Sequence, residues 1–94
     1  KKMEEMKAII TVVGKDRVGI IAKVCTYLSD NGINVLDISQ TIVNGYFNMM
    51  MIVDFSGVDK PFIQCQKELS EAGDTIGVDI KCQLSEIFEK MHRL

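Results

Sequence analysis

The residues best suited to chemistry cluster in the first half of the chain. One set is Gly14-Lys15-Asp16-Arg17-Val18-Gly19-Ile20-Ile21; the other is Asn31-Gly32-Ile33-Asn34-Val35, followed by Asp37-Ile38-Ser39-Gln40-Thr41. The first reads as a polar, glycine-containing loop that opens a helix. The second reads as a tight helix exit into a strand that begins on an asparagine. Such a set suits anion binding. Loop, helix start and strand start together could form one small pocket for an anion, since a helix start presents free amides.

Covalent catalysis finds little support. The single histidine, His92, falls at the end of a terminal helix pattern, a poor platform for positioning an acid or base. No Ser/His/Asp or Cys/His set can be assembled around it, so no catalytic residue is assigned and the chain is read as a non-enzyme. The cysteines, Cys25, Cys65 and Cys82, are odd in number and form no Cys-x-x-Cys pair, which argues against a disulfide framework and a zinc site. Each lies on an apolar stripe and is expected to be a buried thiol. No metal or cofactor is expected, and the reducing compartment implied is the cytoplasm.

The elements that must position these residues follow from pattern. With 94 residues, positions 1–94 form one domain with one core; residues 1–6 read as a flexible or appended end. Apolar residues at 47% and charged residues at 26% are ordinary for a globular chain and exclude a disordered one. A net charge of −2 gives no basic footprint for nucleic acid. No apolar run approaches the ~18 residues of a membrane span, and no apolar stretch behind Lys1-Lys2-Met3-Glu4-Glu5 suggests a signal peptide.

Lys7 to Val13 is β-rich with apolar residues on both faces, as a central strand requires, and Gly14-Lys15-Asp16 breaks it. Asp16 is a good N-cap for an amphipathic helix with Ile20, Ile21, Val24, Cys25 and Leu28 on one stripe, ended by Asn31-Gly32. Ile33 to Val43 is a second strand whose alternation changes phase near Leu36-Asp37, as a bulge would produce. Asn44-Gly45 signals a hairpin. The third strand places Phe47, Met49, Met51, Val53 and Phe55 on a core face, with Met50 on the other, a face more apolar than solvent exposure needs. Asp59 and Pro61 open a second helix, with Phe62, Cys65, Leu69 and Ala72 inward and Gly73 at its end. Val78 to Leu84 alternates cleanly. Ser85 then caps a short C-terminal helix over 85–94, with Ile87, Phe88, Met91 and Leu94 apolar. The order β-α-β-β-α-β is that of an α+β, ferredoxin-like fold: a four-stranded antiparallel sheet with two helices on one face, plus the short C-terminal helix.

That architecture hosts many activities. An RNA-recognition module displays aromatics on its central strands, where this chain offers methionines. A metal-carrying version needs a Cys-x-x-Cys in the first loop, which is lacking. An acylphosphatase-like hydrolase would have Arg17 and Asn48 but no recognisable phosphate cradle.

The residues quoted first resemble those of an ACT domain, a small ligand-binding module of amino-acid metabolism. The segment at 14–21 is similar to the family's Gly-x-Asp-Arg-Pro-Gly-Ile loop, and Gly32-Ile33-Asn34-Val35 to its Gly-x-Asn-Ile motif. Asp37-Ile38-Ser39-Gln40-Thr41 with Gly45-Tyr46-Phe47-Asn48-Met49 resembles the free-standing members related to the glycine cleavage system repressor. The resemblance implies a regulatory sensor that binds an amino acid or related metabolite at a homodimer interface. Asp16, Arg17, Val18, Gly19 and Ile20 would contact it from one chain and Asn34 from the other, with an unidentified protein partner carrying the output. Val18 replaces the family's common proline, and Gly14 and Asp16 stand where some amino-acid sensors carry histidine and asparagine. A ligand-free protein–protein adaptor or repressor-like regulator is the alternative, and an acylphosphatase-like hydrolase the remote one.

Overall fold

A computed structural model describes residues 6–15 and 19–84. The expected terminal helix over 85–94 lies outside the described residues, as do Asp16, Arg17 and Val18. In chain order the elements are β1 (Lys7–Lys15), α1 (Ile20–Asp30), β2 (Asn34–Val43), β3 (Tyr46–Asp54), α2 (Phe62–Ile76) and β4 (Val78–Leu84). The strands form one antiparallel sheet in the order β2-β3-β1-β4. This is the expected ferredoxin-like arrangement, and β1 is central, as its two apolar faces required.

Local chemistry explains most of the element boundaries. Asn44 and Gly45 have φ of 52° and 79°, the paired positive values of a type I′ turn, which matches the twist of the strands it joins. Helix α1 ends in a Schellman motif: the Ile33 amide donates to the Leu28 carbonyl at 2.9 Å and the Gly32 amide to that of Ser29 at 3.2 Å. Gly32 takes the positive φ this exit needs, and Ile33 and Leu28 both bury their side chains in the core. The phase change in β2 is a register irregularity between Val35 and Asp37. It leaves Leu36 as the extra residue and returns Val35, Ile38 and Ile42 to one face.

The core lies between the sheet and the helices. Ala8, Ile10 and Val12 meet Phe47, Met49, Met51 and Val53 and, on β4, Val78, Ile80 and Cys82; Val24, Leu28, Cys65 and Leu69 close it from above. Met49 and Met51 are buried and Met50 is exposed, as the alternation predicts.

Several sequence expectations are corrected. The N-cap of α1 is Gly19, not Asp16, and that of α2 is Pro61, not Asp59; neither helix start carries a side-chain capping bond. Gly14 continues β1 rather than breaking it. Its absent side chain admits Val78, whose Cγ1 would stand 2.8 Å from a Cβ built there. Gly73 does not end α2. The helix runs on to Ile76 and exits through Gly77, at φ 76°, while Gly73 is where α2 presses against β4. Ile21 is exposed rather than on the buried stripe, and Cys25 is only half-buried. Within α1 only Ile20, Val24 and Leu28 are buried, a narrower arc than the sequence stripe suggested.

Candidate functional site

Of the six residues the resemblance points to, three are described: Gly19, Ile20 and Asn34. Gly19 adopts φ 93°, a conformation that disfavours any side chain, and a Cβ there would meet nothing within 4 Å. Its glycine is therefore required by backbone shape and not by crowding. Its carbonyl accepts the Lys23 amide at 2.9 Å, the first turn of α1. The amides of Ile20, Ile21 and Ala22 precede that bond and are the donors a helix start presents. Ile20 is 2% exposed and anchors this turn in the core. Beside Gly19 a groove of about 600 Å³ runs between α1 and α2, lined by Gly19, Ala22, Lys23, Thr26, Asp30 and Ala72.

Asn34 is exposed at the start of β2. It pairs with Asp54, which pairs with Lys7. Lys15 and Val43 both pair with Tyr46, so the end of β1 that leads into α1 lies at the opposite end of the sheet from Asn34. At about 3.4 Å per residue, Asn34 and Val43 are roughly 30 Å apart along β2. One chain does not bring Gly19 and Asn34 together.

The feature next to them that sequence reasoning underweighted is β2 itself. It is an edge strand of 10 residues, exposed throughout. Its helix-side residues Val35, Ile38 and Ile42 are 38%, 45% and 58% exposed. A long, unpaired, apolar edge is a template for another strand, and proteins that do not use such an edge protect it with charge or proline.

A second cluster joins Tyr27 to three residues at four-residue spacing, Lys60, Gln64 and Glu68; its link between the helices had no sequence signal, because Tyr27 and Glu68 are 41 residues apart. The Tyr27 hydroxyl donates to Glu68 Oε1 at 2.7 Å, Lys60 Nζ donates to the same oxygen at 2.7 Å, and Gln64 Nε2 donates to Oε2 at 3.0 Å. Lys60 also stands 5.8 Å from the Tyr27 ring centroid. The Lys60 ammonium, then the Tyr27 and Gln64 donors, hold the Glu68 carboxyl down at about 2. Burial and the bond to Glu68 push the Tyr27 phenol well above its ordinary value. This network ties α1 to α2 and to the segment before α2. The Cys82 thiol is pushed up to about 12 by burial, so it stays protonated and unreactive near neutrality. Among the described residues no group of three or more His, Cys, Asp or Glu is arranged to hold a metal, and no helix is long and apolar enough to cross a membrane.

Comparison with known proteins fits this geometry. The ACT domain family profile matches residues 7–83. A UPF0237 protein of Bifidobacterium longum is 66% identical over 88 residues, covering 94% of this chain and 98% of that one. The ACT domain protein from Streptococcus pneumoniae superposes with a TM-score of 0.81 at 44% identity, over 92% of this chain and 97% of that one. A candidate glycine cleavage system transcriptional repressor superposes with a TM-score of 0.74 over 86% of this chain and 46% of that one; at 20% identity the likeness is one of fold. The chain belongs to the ACT domain family, whose members are typically regulatory ligand-binding modules. Within that family its similarity to UPF0237 proteins runs nearly end to end.

Proposed function

We propose that this chain is a regulatory sensor that holds an amino acid or related carboxylate-bearing metabolite between two copies of itself. Asp16, Arg17, Val18, Gly19 and Ile20 of one copy face the ligand, and Asn34 of the other completes the pocket. The observation that carries this reading is the placement of Gly19 and Asn34 at opposite ends of a sheet that has β2, exposed throughout, as one of its two edges. Two β2 strands paired antiparallel about a two-fold axis set Asn34 of one copy beside Val43 of the other. That is the sheet end where β1 runs toward α1. The first helix amides then accept the ligand carboxylate, and the Asn34 carboxamide supplies a donor and an acceptor to the rest of it. An isologous pairing of this kind makes two equivalent pockets per dimer.

The test is a thermal-shift screen of the standard amino acids on the purified protein, followed by sedimentation with and without any stabilising ligand. One or more amino acids should raise Tm in a concentration-dependent way, and Asn34→Ala should abolish that rise while leaving the ligand-free Tm unchanged. A folded dimer stabilised by none of them would remove the sensor reading and leave a ligand-free adaptor.

A further inference from the structure

The sheet has a second face, turned away from α1 and α2, and the strand register fixes what lies on it. Three rows cross it from β2 to β4: Asp37-Ile52-Ile9-Gln83, Ser39-Met50-Thr11-Lys81 and Thr41-Asn48-Val13-Asp79. A further row, Val43-Tyr46-Lys15, lies at the hairpin end. Met50, Val13, Tyr46 and Val43 follow one another across these rows and are 43%, 43%, 49% and 58% exposed. A contiguous exposed apolar patch with a polar rim marks an interaction surface. Next to Met50 the face dips into a shallow concavity of about 200 Å³, bordered by Thr11, Val13, Thr41 and Asn48.

We propose that two side-by-side pairs of this chain stack through this face into an assembly of four copies. The stack rests on the β2 pairing of the sensor reading and adds a second, weaker contact to it. Area decides the order of assembly. Four strands spaced about 4.8 Å, overlapping for about seven residues of about 3.4 Å, give one copy a face of roughly 19 by 24 Å, or about 450 Å² in plan. That is short of the ~800 Å² that each partner of a stable interface usually buries. Joining two copies along β2 doubles the face to about 900 Å², which clears that size. A single copy therefore does not stack, and a pair does.

Symmetry then fixes the contacts. Four copies built on two-fold contacts have mutually perpendicular two-fold axes, and the one relating paired β2 strands stands normal to the sheet near Ser39. Each copy lies on its counterpart in the facing layer with its strands reversed, about 10 Å away. The row through Met50 meets its own copy, and Asp37-Ile52-Ile9-Gln83 meets Thr41-Asn48-Val13-Asp79. This pattern is self-complementary. Asp37 comes opposite the Thr41 hydroxyl and Asp79 opposite the Gln83 carboxamide, so each carboxylate finds a donor. Lys81 meets its own kind only at the outer margin, where Asp79 Oδ2 of the same chain is 3.7 Å from its ammonium. The unbranched Met50 side chain, adaptable in shape, enters the concavity of the facing copy.

Analytical ultracentrifugation of the full chain from micromolar to millimolar concentration tests the stack. The protein should pass from two copies to four as concentration rises. Met50→Lys should weaken that step by at least about 100-fold, as loss of an interface anchor does, and leave the pair intact. Val13→Lys should do the same. Both side chains are 43% exposed, so neither substitution opens the core, and an unchanged urea midpoint checks it. Ile38→Lys should leave single copies at every concentration, since one face alone is too small. A soluble paramagnetic probe should broaden the Met50 methyl resonance in the dilute pair and spare it in the concentrated protein. A methyl shielded in both, which would place other parts of the chain on the face, overturns the stack and leaves the β2 pairing standing. So does a pair that never becomes four, or a four-copy assembly indifferent to Met50→Lys. Single copies from Met50→Lys, with pairs surviving Ile38→Lys, would sink the β2 pairing itself and the stack with it.

Discussion

Replacing Gly73 with alanine should destabilise this protein, although the same change in an ordinary helix does the opposite. A Cβ at Gly73 would lie 2.6 Å from the Val78 carbonyl oxygen and 2.9 Å from Ile80 Cγ1. To restore an ordinary contact the gap to that oxygen must open from 2.6 to about 3.4 Å, which requires α2 to retreat from β4. The carbonyl belongs to a sheet strand and cannot rotate aside as a side chain would. Overpacking of this kind costs about 1–3 kcal/mol, and contact with backbone argues for the upper half of that range. Against it stands a helix-propensity gain of about 0.8–1.0 kcal/mol for alanine over glycine. The net expectation is a loss of roughly 1–2 kcal/mol, which for a domain of this size lowers Tm by roughly 5–15 °C. Urea titration followed by circular dichroism reads it as a lower midpoint with an unchanged slope. Gly57→Ala is the control, since a Cβ there meets nothing within 4 Å. A Gly73→Ala variant as stable as the parent, or more so, would refute the claim that this glycine exists for helix–sheet contact.

Two further expectations concern the edge strand and the α1–α2 brace. Ile38→Lys on β2 should convert a dimer to a monomer by sedimentation while changing monomer stability by no more than about 0.5 kcal/mol, since the side chain is 45% exposed; an unchanged dimer would place the seam elsewhere. Glu68 is held at about 2 against an ordinary 4.5, so folding lowers its pKa and its contribution is fully present above about pH 5. That contribution is lost as pH falls from about 5 toward 2, and Glu68→Gln should flatten the acid limb of the stability profile over that interval. An acid limb identical in the two proteins would show that Glu68 is not the group titrating.

The parts of the fold legible in the sequence are those specified by neighbours in the chain. Asn44-Gly45 could make only a tight turn of positive φ. Asn31-Gly32 followed by Ile33 contains the whole Schellman exit, including the apolar residue that packs back on Leu28. Strand β3 alternates without interruption, so its core row needed no tertiary information, and the irregularity at Leu36 was visible as a break in phase. The candidate site was half legible in the same way: Gly19 and Asn34 stand out by type and motif, but motif says nothing about distance.

Tertiary structure decided the rest, because it depends on what lies across from a residue. Gly73 and Gly77 carry the same local signal for a helix exit; only the Val78 carbonyl pressed against Gly73 assigns one to contact and the other to the cap. Gly14 looked like a strand breaker until Val78 occupied the space beside it. The Tyr27–Glu68 bond joins residues 41 apart in the chain, and no spacing rule reaches that far. The amino-acid order by itself determined a ferredoxin-like domain of the ACT family with a glycine at one helix start and an asparagine at one strand start. The folded sheet separated those two residues by its full length and left β2 at an edge, paired with β3 on one side alone, because strand order rests on hydrogen bonds between distant segments that no local signal fixes.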